Sequence, residues 1–92
     1  MITSFKCKDT ETLFHGKRVA RFVNIETVAM RKLQQVHAAM DLNFLRIPPN
    51  NRLELLKGNR AGQFSIRIND QWRICFRFAN GTSTDVEIVD YH

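Results

Sequence analysis

Ninety-two residues with a net charge of +5 suit one small domain, and a 43% hydrophobic content that includes seven phenylalanines can supply its core. Cys7 and Cys75 are too few and too far apart for a disulfide framework or a metal cluster, and so read as reduced thiols. No apolar run is long enough to span a membrane and no signal-peptide core opens the chain, so the expectation is a single cytoplasmic domain over residues 1–92.

The first six residues, with Ile2 and Phe5, read as a strand. Asp9 is a candidate N-cap for a short helix that turns Leu13 and Phe14 inward and stops at Gly16. Lys17, Arg18 and Arg21 form a basic connection. Asn24 is a candidate cap for a longer helix, with Glu26 at its positive end. Ile25, Val28, Ala29, Leu33, Val36 and Met40 make its apolar stripe, and Met30, Lys32, Gln34 and Gln35 fall largely outside it. His15 reads as loop, and His37 as helix surface or a satisfied neighbour of the core.

Residues 41–51 read as a loop or single turn, because Pro48 and Pro49 exclude a regular helix. Arg52 to Leu56 is strand-like, with Leu53 and Leu55 as its apolar positions. Next come two alternating runs: Phe64, Ile66 and Ile68 against Ser65, Arg67 and Asn69, then Trp72, Ile74, Phe76 and Phe78 against Arg73, Cys75 and Arg77. Asn69, Asp70 and Gln71 break the pattern as turn formers. Paired as a hairpin, the runs have one apolar face and one face bearing Arg67, Arg73 and Arg77. Asn80 and Gly81 signal a further turn before a last strand from Thr84 to Tyr91, with Val86 and Ile88 toward the core. This order gives an α+β fold: an N-terminal strand and two helices packed on one face of a mainly antiparallel twisted sheet, the arginine face left open.

Charge is concentrated on that hairpin and its approach. Between residues 52 and 77, Arg52, Lys57, Arg60, Arg67, Arg73 and Arg77 face only Glu54 and Asp70, a local excess of +4 that fits a phosphate-binding surface. Arginine grips phosphate with forked donors, and lysine supplies a point charge. The terminal Asp90-Tyr91-His92 adds a histidine that titrates near neutral pH, although a lone terminal histidine is ordinarily frayed and idle.

The run LLKGNRAGQFSIRINDQWRICFRF from Leu55 to Phe78, the terminal VEIVDYH and the opening ITSFKCKDTETLF resemble the HigB branch of the RelE-like bacterial toxins over nearly the whole chain. The resemblance implies the toxin of a type II toxin–antitoxin pair, bacterial and cytoplasmic. Such toxins enter the A site of the 70S ribosome, against rRNA, and cut mRNA there. The cut is made by attack of the ribose 2′-OH on the neighbouring phosphate, with no metal and no cofactor. It implies Lys57 and Arg73 as transition-state cations. Asp90, Tyr91 and His92 then share acid–base work and orientation, with His92 moving the proton. Arg60, Arg67, Asn69, Gln71 and Arg77 would bind RNA or position it. The implied partner is a HigA-like helix-turn-helix antitoxin. Some family members have a histidine where this chain has Glu54, which would act as a base or pair with Lys57, so a slower toxin would be consistent. Two other readings are a non-enzymatic growth inhibitor of the ParE type and a plain nucleic-acid-binding module.

Overall fold

The structure, a computed structural model, describes residues 1–91. It contains α1 (Lys8–Phe14), α2 (Glu26–Ala38) and four strands, β1 (Glu54–Leu55), β2 (Phe64–Arg67), β3 (Trp72–Ala79) and β4 (Thr82–Asp90). The strands form an antiparallel sheet in sequence order, β1-β2-β3-β4.

Turn chemistry sets the register. Asn69 Oδ1 accepts from the backbone N–H groups of both Gln71 and Trp72, each at 2.8 Å, and this Asx turn folds β2 back on β3. The β3–β4 turn places Asn80 at φ 52° and Gly81 at φ 76°, the two left-handed residues that a type I′ hairpin requires. Both turns are where the sequence pattern puts them.

One sheet face carries Ile66, Ile74, Phe76, Val86 and Ile88, all buried, against Ile25 and the Ala29, Leu33 and Val36 stripe of α2. Burying each large aliphatic side chain stabilises the fold by about 1.5–3 kcal/mol, so this layer dominates over any surface ion pair.

The expected N-terminal strand is present only as two isolated parallel bridges, Ile2 to Ser83 and Phe5 to Val86. It runs beside β4, and Thr10 Oγ1 of α1 accepts from the Ile88 N–H at 3.0 Å. Together these cover an edge of the sheet that would otherwise offer free backbone groups.

Neither expected helix cap operates. Cys7 precedes α1 and Ile25 precedes α2, and neither helix start has a side-chain cap bond. Asp9 instead accepts from Arg21 Nε at 2.9 Å. Burial of Ile25 fixes the start of α2 where a polar cap at Asn24 would not. The helix ends at Ala38, so Met40 lies beyond it, 79% exposed. His37 is held, its Nδ1 accepting from the Ile2 N–H.

The sharpest departure is Lys32. Rather than solvated, it is buried, and its ammonium donates to Asn51 Oδ1. Residues 42–51 fold as two 3-10 turns against α2, a packing that helical periodicity alone does not reveal. Asn51 is fully buried, its Nδ2 donating to the carbonyls of Leu45 and Ile47 and to Gln35 Oε1. Gln35 also donates to the Ile47 carbonyl, so it belongs to this hub and not to a bare surface. Burial lowers the Lys32 pKa, and Arg31 adds to the effect. Removing Asn51 strands the Lys32 ammonium and the Leu45 carbonyl away from water. Asn51→Ala should therefore cost about 3 kcal/mol in urea unfolding, against less than about 0.5 for exposed Asn50→Ala.

Candidate active site

The face away from the helices is arranged in rows by strand register. Glu54, Ser65, Cys75 and Glu87 lie side by side across the four strands, and Arg67, Arg73 and Val89 form the next row. Arg67 stands directly opposite Arg73, which would be repulsive if each cation did not have its own carboxylate. Arg67 pairs with Asp70, and Arg73 Nη2 lies 3.4 Å from Glu54 Oε1.

Arg73 is the best-fixed cation of this face. It is only 8% exposed. Its Nε donates to Ser65 Oγ at 2.9 Å, and its Nη2 donates to the Arg52 carbonyl at 2.7 Å. Arg52 adopts the left-handed conformation, φ 46°, which ends the preceding 3-10 turn as the chain enters β1. Among the described residues Nη1 makes no hydrogen bond. The guanidinium carbon lies 5.7 Å from the centre of the Tyr91 ring.

The chain reaches Tyr91 through Gln71. Gln71 Nε2 donates to Asp90 Oδ2 at 3.1 Å, and the Tyr91 N–H donates to the Gln71 carbonyl. Arg73, Gln71, Asp90, Tyr91 and Glu54 are thus brought together from three separate stretches of sequence. His92 lies outside the described residues.

Arg60 approaches the face from the connection before β2. Its Nη1 donates to Glu87 Oε1 at 3.0 Å and to Gln63 Oε1 at 3.2 Å. Burial is the strongest single influence and opposes its charge, but the bond to Glu87 and the attraction of the acidic groups around it together hold its pKa above the ordinary value. Beneath it, burial pushes the Cys75 thiol up, keeping it neutral and unreactive. Lys57 is exposed just before the 3-10 turn Gly58–Arg60, and no ion pair engages it among the described residues. Glu54 therefore pairs with Arg73 and not with Lys57.

The remaining expected residues are placed apart from the Arg73–Tyr91 group. A bulge at Asp85, φ 52°, brings its carboxylate within 3.4 Å of Arg77 Nε. Arg77 also lies over Gly62, where a Cβ would meet its Nη1 at 2.9 Å. Asn69 spends its Oδ1 on the hairpin turn, accepting from the backbone of Gln71 and Trp72.

An open face of free arginines is not what the chain builds. Arg60, Arg67, Arg73 and Arg77 each have an internal carboxylate partner. Arg73 is a buried cross-link between strands and not a solvated side chain. Sequence reasoning missed Ser65, Asp85 and Glu87. Alternation puts Ser65 on the arginine face, which was a usable signal; the Asp85 bulge left none.

The chain matches the family model described as the RelE-like toxin of type II toxin–antitoxin system HigB, over residues 3–92. It is 39% identical to Toxin HigB-1 of Vibrio cholerae serotype O1 over 85 residues, covering 90% of each chain. It is 36% identical to Endoribonuclease HigB of Proteus vulgaris over 94 residues, covering 100% of each. Among solved structures, the YoeB–YefM toxin–antitoxin complex of Staphylococcus aureus has a chain that aligns with TM-score 0.63 at 21% identity, covering all of this chain and 95% of that one, a likeness of fold.

Proposed function

Because the chain belongs to the RelE-like HigB toxins of type II toxin–antitoxin systems, we propose that it is an endoribonuclease that cuts mRNA in the ribosomal A site. The observation that carries this reading is Arg73, a buried arginine pinned through Nε and Nη2, its Nη1 unbonded among the described residues, beside Tyr91 and Glu54. A cation held this way does not reorganise when charge builds on a phosphate, the condition under which electrostatic stabilisation lowers a barrier most.

In the proposed reaction the ribose 2′-OH attacks the adjacent phosphorus, the bond to the 5′-oxygen breaks, and a 2′,3′-cyclic phosphate remains. Arg73 and Lys57 stabilise charge on the phosphorane oxygens. Glu54, displaced from Arg73 by the entering phosphate, accepts the 2′-OH proton. His92, assigned from the sequence alone, donates to the leaving oxygen. Tyr91 stacks on or bonds the substrate, and Gln71 holds Asp90 in place. Arg60, Arg67 and Arg77 bind RNA phosphates by exchanging their internal carboxylates for external ones. Primer extension on mRNA from translating ribosomes treated with the purified chain tests the reading. The expected result is new 3′ ends within A-site codons. Arrested translation with intact mRNA would overturn it.

The partner we propose is a small helix-turn-helix antitoxin seated on the helical side of the toxin. Charge reversal at exposed Arg31 of α2 should then weaken the purified complex, and Arg67→Glu should leave it intact. Co-purification after the two chains are expressed together reads this directly, and dissociation by Arg67→Glu alone would show that the sheet face is the covered one.

A further inference from the structure

We infer that Ser65 is a positioning residue for the proposed cleavage, setting the direction in which the Arg73 guanidinium presents Nη1; the inference rests on the ribonuclease reading above. Ser65 sits mid-strand in β2, opposite Cys75, on the face that bears Arg73. It is fully buried, and its Oγ accepts from Arg73 Nε at 2.9 Å.

The geometry goes beyond filling space. A guanidinium is a rigid planar fork, so one hydrogen bond leaves it free to rotate and two in different directions fix its plane. Ser65 supplies the bond at Nε, and the Arg52 carbonyl supplies the bond at Nη2. These come from different parts of the chain, β2 and the turn before β1. Glu54, at 3.4 Å, attracts Nη2 but is half exposed, and it is the group an entering phosphate would compete with. Ser65 and the Arg52 carbonyl are not in that competition, so the plane survives substrate entry only if they hold. Without the hydroxyl, the Arg73 Nε–H would lose its acceptor in a buried setting, and the fork would turn to find another.

Ser65 touches neither phosphate nor ribose in this assignment. Its effect must appear in the rate of the chemical step and not in ribosome binding. The test compares Ser65→Ala, Ser65→Cys and Ser65→Thr with the wild type for single-turnover mRNA cleavage on ribosomes. Half-saturating ribosome concentration, Tm and the side-chain 15Nε signal of Arg73 are measured alongside. Cysteine keeps the volume but is a weak acceptor; threonine keeps the hydroxyl. The expected result is a maximal rate about tenfold or more lower in Ala and Cys at unchanged half-saturation, an Arg73 Nε signal lost to exchange in both, and recovery of rate and signal in Thr. Should Thr prove too large to pack, Cys at wild-type Tm with a reduced rate supports the inference equally. Wild-type rates in Ala and Cys, or losses that merely follow Tm, overturn the inference while leaving the ribonuclease reading intact. A wild-type chain that cuts nothing on ribosomes overturns both.

Discussion

Arg73→Gln should abolish growth arrest and lower mRNA cleavage on ribosomes by about a hundredfold or more, the cost of removing a preorganised donor from a charge-developing transition state. The same change should also destabilise the fold. Arg73 joins β3 to Ser65 on β2 and to the Arg52 carbonyl, and its loss leaves the buried Ser65 hydroxyl and the part-buried Arg52 carbonyl without their partner. That penalty is about 1–3 kcal/mol, enough to lower abundance in cells but too small to explain a loss of catalysis in folded protein. The two effects separate when cleavage is measured on purified protein well below its Tm, with equal circular dichroism signals. Arg73→Lys is the informative companion. It keeps the charge but loses the planar fork, and should recover only a small part of the rate. Full toxicity of Arg73→Gln at equal expression would remove Arg73 from the mechanism.

Purified chain mixed with naked RNA should cut at least about a thousandfold more slowly than on translating ribosomes. Among the described residues, no histidine reaches the site. His37 is committed to the Ile2 N–H, and His15 sits at the end of α1 beside Glu11. Glu54 is engaged by Arg73, and Arg60, Arg67 and Arg77 are likewise balanced by carboxylates of their own. Such a face has little pull on free RNA and a sparse acid–base set, so orientation of the 2′-OH for in-line attack must come from elsewhere. Orientation alone can supply about 7–11 kcal/mol of a barrier in favourable cases, which leaves room for the ribosome to make the difference. The measurement is a time course of a defined mRNA with and without ribosomes. Comparable rates in the two would defeat ribosome dependence.

What the sequence determined by itself is short-range. The period-two runs fix which residues of the hairpin share a face, and Asn69 and Asn80-Gly81 fix where it turns, because these effects act within a few bonds of backbone. The apolar stripe of α2 is equally local, and so is the grouping of Arg67 and Arg73 on one face. The tail DYH and the SIRIN run carried the family resemblance without any geometry. Tertiary structure alone decided what those arginines do. Glu54 reaches Arg73 only because β1 pairs with β2 in one register, and Glu87 reaches Arg60 only because β4 pairs with β3 in another. Asp85 faces Arg77 through a bulge that no alternation rule anticipates, and Lys32 is buried because a proline-broken segment folds over α2 and offers Asn51. Charges can be counted along a chain, but whether a cation meets solvent, substrate or an internal carboxylate depends on separations of a few ångströms between residues distant in sequence. Coulomb and desolvation energies change steeply over that range, so the packing of the sheet settles the sign of the outcome.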